Sequence, residues 1–422
     1  MDATADESKQ LNQPRVAHAV QVISNTWARD SHDLFDFEAS HLHTVTFTVP
    51  KSMKCIRTGT EVQMLSDHCQ PPANADPLLR LVQKDGTFWV DKATPSSSSK
   101  KLWLVVRDLS SNGHRLAEGD VIKLGRFKFR VRQMVSANGS VQPELKLGLD
   151  DGQMVSCKEK DQAALHSTMC RICLLEGAGE NDPLIRPCKC RGSIEYVHLG
   201  CLRHWIRGRL NFSDTPSGSF FYRPLACELC KEVYPTWVEA EEGAERETLV
   251  EVPKTVAPFI VLENMVRDSQ QHASRGLHVI SLADKVLKLG RGHESHVRIA
   301  DVSISRCHAT ISYQNGAFLL QDNKSKFGTL VAMKKPRPLE IGAHTSIQMG
   351  RTVLSLNLQP LSDTSPLGCS GSGTLLTQLP SSTPQDERAL RLSMLQRVNS
   401  LDSGREEAES RVPGGHVDQE SL

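Results

Sequence analysis

The sequence predicts a multidomain, mainly β protein in which two β-sandwiches flank a small cysteine-rich module and a disordered tail ends the chain. Two long stretches alternate apolar and polar residues with a period of two, which is typical of strands with one buried face. Seven cysteines crowd between residues 170 and 230, and Ser, Thr, Pro and Gly dominate after residue 361. The predicted segments are a poorly ordered N-terminus (1–40), a first β-domain (41–135), a linker (136–167), the cysteine-rich module (168–236), an acidic linker (237–254), a second β-domain (255–360) and the disordered tail (361–422).

The first β-domain is predicted from short alternating runs separated by turns. Residues 45–49 alternate, and residues 127–132 alternate strictly between apolar and basic side chains. Asp85-Gly86 and the Ser-Ser-Asn-Gly run at 110–113 supply turns. Before this domain we expect one short helical stretch, over residues 16–27.

In the cysteine-rich module, the spacing of seven cysteines and one histidine predicts metal ligands. The order is C-x2-C, C-x-C, H-x2-C and C-x2-C, and a two-residue gap lets one tight turn present two sulfurs to the same ion. Eight ligands fill two tetrahedral zinc sites with no vacancy, so we expect two structural Zn²⁺ ions that fold the chain and do not catalyse. The eight residues are Cys170, Cys173, Cys188, Cys190, His198, Cys201, Cys227 and Cys230.

The second β-domain is predicted from a similar series of runs between residues 255 and 360. Asn315-Gly316 between two runs is a strong hairpin signal, because a type I′ turn needs positive φ at both central positions. Residues 121–126 and 346–351 also resemble one another, each after a glycine-containing turn. This echo indicates two copies of one fold, with chance similarity between two β-sandwiches as the competing explanation.

Composition limits the classes of partner and the compartment. The formal net charge of the 422 residues is +1, which argues against a general nucleic-acid binder, so no nucleic-acid partner is predicted. No apolar run approaches the roughly 20 residues needed to cross a bilayer. The cysteines outside the cluster are scattered singly. This fits free thiols in a reducing compartment. We therefore expect a soluble intracellular protein, in the cytoplasm and/or the nucleus, with no transmembrane segment.

Residues 188–205 closely resemble the RING-CH (RING-variant) domain of membrane-associated RING-CH ubiquitin ligases, and residues 227–231 fit the end of that domain. The PHD finger of chromatin readers uses the same ligand order, but it has fewer residues before its histidine and a tryptophan just before the seventh ligand. Here seven residues separate the fourth ligand from His198, and Trp205 lies four residues after the sixth ligand. Both features favour RING-CH. The resemblance implies cross-bracing, in which Cys170, Cys173, His198 and Cys201 hold one zinc while Cys188, Cys190, Cys227 and Cys230 hold the other.

The resemblance to RING-CH domains also implies an activity. Such a domain grips a ubiquitin-conjugating enzyme charged with ubiquitin and catalyses transfer by positioning, with no catalytic residue and no covalent intermediate of its own. By position, Ile172 and Trp205 form the apolar contact with the conjugating enzyme, and Lys231 bridges to ubiquitin. The alternative is that Ile172 and Trp205 belong to a small core and Lys231 is a solvated charge.

The second β-domain resembles a forkhead-associated (FHA) domain, a β-sandwich that binds phosphothreonine peptides through its loops. Three blocks carry the resemblance: Gly290-Arg291, residues 305–308 and residues 322–329. It implies that the phosphopeptide is bound by Arg291, Ser305, Arg306 and Lys326, and that the structural residues are Gly290, His308 and Gly328. Phe327 stands where the family has an asparagine that bonds the peptide backbone. The alternative is a domain that only packs against the zinc module.

The first β-domain resembles only the closing half of an FHA domain, over residues 108–113 and 119–126. It lacks the Ser-x-x-His block, so we interpret it as a degenerate, structural copy in which Arg126 is a solvated strand residue.

Together these resemblances predict a RING-CH ubiquitin ligase whose FHA domain recruits phosphothreonine-containing proteins. The alternative is a non-enzymatic, phospho-dependent scaffold whose zinc module is only a protein-binding element, and a chromatin reader is a weaker third possibility.

Overall fold

Strands make up most of the regular structure, as predicted. The computed structural model describes residues 17–29, 33–93, 101–109, 113–137, 145–147, 155–156, 167–179, 182–210, 212, 217–239, 247–265 and 276–361. The predicted disordered tail, apart from Leu361, most of the linker 136–167, residues 240–246 of the acidic linker, and residues 1–16 and 30–32 of the predicted N-terminal segment lie outside these residues.

The elements fall into three groups along the chain. Before the cysteine-rich module are strands β1 (His18–Trp27), β2 (Leu42–Val49), β3 (Met53–Thr58), β4 (Glu61–Ser66), β5 (Asp76–Lys84), β6 (Thr87–Lys92), β7 (Trp103–Val105), β8 (His114–Arg115), β9 (Val121–Leu124) and β10 (Phe127–Val135). In and beside the module are β11 (Val155–Ser156), β12 (Leu184–Ile185), β13 (Val197–His198), helix α1 (Leu199–Arg209), β14 (Phe220–Tyr222), β15 (Trp237–Glu239) and β16 (Glu247–Thr248). After it are β17 (Phe259–Asn264), β18 (Leu277–Ser281), β19 (Leu287–Gly290), β20 (Val297–Arg298), β21 (Ala309–Gln314), β22 (Ala317–Asp322), β23 (Thr329–Ala332), β24 (Arg337–Pro338), β25 (His344–Met349) and β26 (Thr352–Pro360).

Residues 18–27 form strand β1, so the helix predicted over 16–27 is wrong. Val20, Val22, Ser24 and Thr26 are buried in alternation, which is the period of a strand. β-branched side chains at 20, 22, 23 and 26 also lower helix propensity. The strand lies between β2 and β26 and is hydrogen-bonded to both. This part of the segment 1–40, predicted to be poorly ordered, is therefore a paired strand.

Two β-sandwiches are present, each built from two facing sheets. In the first, the strand order β2-β1-β26-β25-β7 faces β24-β6-β5-β3-β4, and the core between them includes Val22, Leu79 and Leu356. In the second, β18-β17-β10-β9-β23 faces β20-β19-β21-β22-β8, around a core that includes Ile122 and Ile311. β7 and β23 pair with each other, so one 11-stranded sheet runs through both sandwiches.

The two sandwiches have exchanged their closing strands. β8–β10 precede the module in sequence but complete the second sandwich, whereas β24–β26 follow the second sandwich and complete the first. This differs from the expectation of two β-domains folded from the contiguous segments 41–135 and 255–360. The similar segments 121–126 and 346–351 lie in the exchanged hairpins. Because the two hairpins have the same pattern, each can fit either sheet, and domain swapping likewise exchanges identical elements.

The module is inserted between two strands that pair with each other. In β10 and β17, Val135 lies opposite Phe259, so the chain leaves and returns at one end of the sheet. β14 from the module pairs with β18, and one apolar core joins Leu202 and Ile206 of α1 to Val279 of the sheet. The module is therefore packed against the second sandwich. No helix among the residues that the structure describes has the length and apolar character to span a membrane.

Candidate functional sites

The first and last ligand pairs form two turns of the same shape. In each turn the residue after the second cysteine donates its N–H to the first cysteine's carbonyl oxygen, at 2.9 Å from Leu174 to Cys170 and 3.0 Å from Lys231 to Cys227. Leu174 and Lys231 have φ of 62° and 63°, which is uncommon for residues other than glycine. We call these turns the knuckles (170–174 and 227–231). Each knuckle directs two sulfurs to one point.

The folded chain brings the eight ligands together as two groups of four. Cys170, Cys173, His198 and Cys201 form one group, Cys188, Cys190, Cys227 and Cys230 form the other, and the ligand atoms within each group lie within 4.8 Å of one another. These are the two sets expected from cross-bracing. Helix α1 and the short strand β13 position His198 and Cys201, because the buried residues Leu199 and Leu202 hold α1 on the core.

His198 is oriented for ligation through Nδ1. Its Nε2–H donates to the Gly177 carbonyl oxygen at 2.7 Å, so Nδ1 carries the lone pair, and Nδ1 lies 3.3 Å from Cys173 Sγ. A backbone carbonyl that fixes the tautomer of a ligating imidazole is usual in metal sites.

The electrostatics of both groups fit a divalent cation. Burial opposes ionisation of Cys170, but backbone N–H groups directed at its sulfur, among them those of Cys173 and His198, lower the pKa of the thiol to about 6. Cys227 has the same arrangement and a pKa of about 6. Burial and then the neighbouring sulfurs raise the pKa of Cys190 to about 12. Converging sulfurs cannot all ionise without a cation, and zinc stabilises four such ligands at once.

Sequence reasoning missed Arg171, which connects the knuckles. Its guanidinium lies 3.6 Å from Cys188 Sγ and 3.8 Å from Cys227 Sγ, and it donates to Tyr234 Oη at 3.1 Å. Arg171 thus belongs to the knuckle of the first group and supports sulfurs of the second. A cation between the first two cysteines was the only sequence signal for this role.

The three predicted conjugating-enzyme contacts occupy different environments. Ile172 is 41% exposed at the tip of its knuckle, and Leu229 is 60% exposed on the other. Trp205 is half-buried, with its ring 5.9 Å from that of Tyr234 and Arg209 over its face at 5.3 Å. Lys231 is exposed, and its Nζ donates to the Glu228 carbonyl oxygen at 2.7 Å. Ile172 and Lys231 are therefore accessible, whereas Trp205 also packs in the module.

The predicted phosphopeptide residues lie on loops at one end of the second sandwich. We call these the recognition loops (291–296, 299–308 and 323–328). The Arg291 N–H donates to Ser305 O at 3.0 Å and its Nε to Ile304 O at 3.3 Å, while the Lys326 N–H donates to Ser305 Oγ at 3.1 Å. Ser305 Oγ therefore accepts from Lys326 and keeps its own proton to donate. Arg291, Arg306 and Lys326 are exposed.

His308 holds the recognition loops together from inside. The ring is fully buried, its Nδ1 accepts from the Ser305 N–H at 3.1 Å, and its Nε2–H donates to Gly328 O at 3.1 Å. The bond that Nδ1 accepts requires the neutral ring, and burial lowers the pKa of His308. Gly290 allows close contact nearby, because a Cβ there would collide with the carbonyl oxygen of Arg306.

Residues 34–37, between β1 and β2, cover the loop 323–328, which sequence reasoning did not anticipate. The Phe37 N–H donates to Lys326 O at 2.9 Å, and Asp36 Oδ2 lies 3.4 Å from Lys326 Nζ. A Cβ added to Gly328, whose φ is 74°, would lie 2.5 Å from the Phe37 ring. Arg107 stacks over Phe37 at 4.2 Å and pairs with the buried Asp322 at 2.9 Å.

The residue that departs from the FHA pattern, Phe327, faces Trp27 of β1 with a ring-to-ring distance of 6.4 Å. It therefore faces the first sandwich.

Comparisons with known proteins agree with this geometry. A family model for the RING-variant domain matches residues 170–230, and one for the FHA domain matches residues 287–350. E3 ubiquitin-protein ligase MARCHF7 of Pongo abelii is 36% identical over 93 residues, covering 22% of this chain and 12% of the relative. E3 ubiquitin-protein ligase MARCHF8 of Bos taurus is 46% identical over 63 residues, covering 15% and 17%. The ERAD-associated E3 ubiquitin-protein ligase DOA10 of Saccharomyces cerevisiae is 36% identical over 86 residues, covering 19% and 6%.

This chain thus spans less than a fifth of the length of these relatives, and the similarity is centred on the zinc-ligand region. The chain contains a RING-variant domain over residues 170–230 and an FHA domain over residues 287–350.

Proposed function

We propose that this protein is a RING-CH-type ubiquitin-protein ligase that binds a ubiquitin-conjugating enzyme and promotes ubiquitin transfer to substrates recruited through phosphothreonine recognition by the FHA domain. The observation that carries this proposal is the pair of cross-braced Cys/His groups with exposed apolar residues at the tips of both knuckles. Two zinc ions, held by the two groups, have a structural role: bound zinc fixes the knuckles.

The surface around the knuckles suits an apolar contact with a conjugating enzyme. Leu174 and Leu175 are 64% and 66% exposed on the loop that also carries Ile172. Exposed apolar side chains grouped on a rigid support are typical of binding sites. Arg171 of the first knuckle contacts Cys227 of the second, so one side chain connects the turns that carry Ile172 and Leu229. Catalysis then consists of holding the charged enzyme in a reactive geometry.

The recognition loops suit a phosphate group. Arg291 offers a guanidinium, Ser305 offers a hydroxyl proton, and Arg306 and Lys326 add positive charge at the same end of the sandwich. Charge-assisted hydrogen bonds of this kind are the strong contacts that phosphate makes in proteins. Recruitment of a phosphothreonine-containing protein would bring its lysines to the module packed on the same sandwich.

An autoubiquitination assay tests the ligase proposal. Purified full-length protein is combined with ubiquitin-activating enzyme and a panel of conjugating enzymes, and Ile172→Ala is compared with Ile341→Ala, which truncates an isoleucine that is 65% exposed on the first sandwich. We expect Ile172→Ala to lower chain formation about 10-fold or more with zinc content unchanged, and Ile341→Ala to match wild type. Zinc-loaded wild type that is inert with every enzyme would support the scaffold instead.

A peptide-binding assay tests the recruitment step. Wild type should bind a degenerate phosphothreonine peptide pool and prefer it to the phosphoserine and unphosphorylated pools. Arg291→Ala should lose that binding, whereas Arg115→Ala, at an exposed arginine of the edge strand β8, should keep it. Equal binding of all three pools by wild type would contradict phosphothreonine recognition.

A further inference from the structure

Arg126 lies in the tight turn between β9 and β10, which the strand exchange places in the second sandwich. The turn rests on the recognition loop 299–308. The Arg126 N–H donates to Ser303 Oγ at 3.1 Å. A Cβ on Gly125, whose φ is 51°, would lie 2.5 Å from Ser303 O, so only glycine permits this approach. The position of Arg126 is therefore set by the loop that carries Ser305.

Three cationic residues from different parts of the chain contact three consecutive residues of this loop. The backbone N–H of Arg126 donates to Ser303 Oγ, the Arg291 Nε–H to the carbonyl oxygen of Ile304 and the backbone N–H of Lys326 to Ser305 Oγ. Each of the three cationic residues is exposed. The first comes from the half of the chain before the RING-variant domain, so that half contributes to the charge at the phosphopeptide-binding end.

The side chain of Arg126 is uncommitted, unlike that of its counterpart. Arg351 occupies the equivalent turn of the first sandwich, between β25 and β26, and its guanidinium donates to Ala28 O at 3.1 Å and Gly59 O at 2.8 Å. Among the residues that the structure describes, the Arg126 guanidinium makes no hydrogen bond or ion pair. One copy of the turn uses its arginine to hold neighbouring backbone, and the other presents it to solvent.

The nearby acid Asp301 interacts with Arg126 through its charge and makes no hydrogen bond or close ion pair with it. Asp301, on the same loop, directs Oδ1 to Ser303, accepting from its N–H at 2.7 Å and its Oγ–H at 2.6 Å. Burial raises the pKa of Asp301, but these bonds and the charge of Arg126 outweigh it and lower that pKa. Arg126 is therefore near enough to act on charges at this loop while its donors stay available to a ligand.

We propose that Arg126 is a specificity-determining residue of the phosphopeptide site and binds an acidic side chain of the peptide near the phosphothreonine. This rests on the proposed phosphothreonine recognition and adds a sequence preference to it. The exchanged hairpin thus brings a residue of the first β-segment to a site whose other binding residues lie in the second.

Two phosphothreonine peptide pools test the proposal on the full-length protein. One pool has Asp or Glu fixed at a position near the phosphothreonine and the other has Ala there, each position being tested in turn. Affinities are measured by fluorescence polarisation for wild type, Arg126→Ala, Arg126→Lys and the matched control Arg115→Ala.

We expect wild type to prefer an acidic pool about 5-fold at low salt, and this preference should shrink at high salt. Arg126→Ala should lose the preference while binding the Ala pools within about 2-fold of wild type, Arg126→Lys should keep part of it, and Arg115→Ala should keep all of it. If Arg126→Ala weakens binding of both pools equally, or leaves the preference unchanged, the role of Arg126 is overturned and phosphothreonine recognition is not. Wild type that binds no phosphothreonine pool overturns the recognition step and this inference with it.

Discussion

Arg171 shows how one side chain makes two metal groups interdependent. Its backbone belongs to the knuckle of Cys170 and Cys173, whereas its guanidinium contacts Cys188 and Cys227. Thiolates accept hydrogen bonds and are stabilised by an adjacent cation. Movement of the first knuckle therefore changes the environment of the second group.

Replacing Arg171 should weaken zinc binding. We expect Arg171→Ala to release zinc to a chelator about 10- to 100-fold more readily than wild type, because outer-shell partners of ligands contribute that much to metal affinity. A colorimetric zinc-release assay measures this, and Arg191→Ala, an exposed arginine of the same module, is the matched control. Zinc release that is the same in both variants would contradict the bridging role.

The buried ring of His308 makes the stability of the recognition loops dependent on pH. Burial lowers its pKa, so the folded ring stays neutral where an unfolded histidine, with a pKa near 6.5, takes up a proton. A group whose pKa is depressed on folding binds more protons in the unfolded state. Its contribution to stability is therefore intact above about pH 6.5 and is lost as the pH falls below that value.

Ring ¹⁵N chemical shifts measure this directly. At pH 7 and at pH 6 we expect His308 to be neutral with its proton on Nε2, because Nδ1 accepts from Ser305 and Nε2 donates to Gly328. A ring that is protonated at pH 6, or that carries its proton on Nδ1 at pH 7, would be inconsistent with the buried hydrogen bonds.

Among the elements, the segment 34–37 holds the loop on which Phe327 departs from the FHA pattern. Phe37 packs on Gly328 and bonds Lys326 O, and Arg107 ties Phe37 to Asp322. The loop 323–328 is therefore held from outside by a segment of the first sandwich. Sequence could identify the departure at Phe327, but it could not identify the contact with residues 34–37, because these are nearly 300 positions away.

Asp36 should compete with phosphate for Lys326. Its carboxylate lies 3.4 Å from Lys326 Nζ, so we expect Asp36→Asn to raise affinity for the phosphothreonine pool about 3-fold, in the range of partly exposed ion pairs. Glu38→Gln removes the same charge from an exposed neighbour and should have a smaller effect. In a Lys326→Ala background, Asp36→Asn should change nothing. An equal gain there would mean that Asp36 acts through general repulsion.

At the scale of the whole molecule, the sequence reveals features made by neighbouring residues, whereas it does not reveal which distant strands pair. Ligand spacing predicted the eight metal ligands because each knuckle is made by neighbouring residues, and the resemblance to RING-CH domains implied their division into two groups. The strand exchange was not predictable, because an alternating hairpin carries the same pattern whichever sheet edge it joins. Arg126, predicted to be a solvated strand residue, is exposed but lies in a turn between two strands. The repeat between 121–126 and 346–351 was the one available signal, and it indicated duplication without exchange.

The exchange predicts that neither β-segment folds alone. A fragment of residues 17–137 lacks β24–β26, so its core loses side chains such as Ile347, Leu354 and Leu356, all fully buried. Each contributes about 1.5–3 kcal/mol by burial, and together they approach the 5–15 kcal/mol stability of a whole domain.

A fragment of residues 255–361 lacks β8–β10 and loses Ile122, Leu124 and Val131 in the same way. We expect each fragment to give the poorly dispersed amide spectrum of an unfolded chain, and the two together to form a 1:1 complex with native dispersion. The control is full-length protein cleaved by a protease at a site engineered within residues 157–166, which should stay associated because the strand pairing does not depend on that connection. A 255–361 fragment that unfolds cooperatively by itself would contradict the exchange and restore two contiguous β-domains.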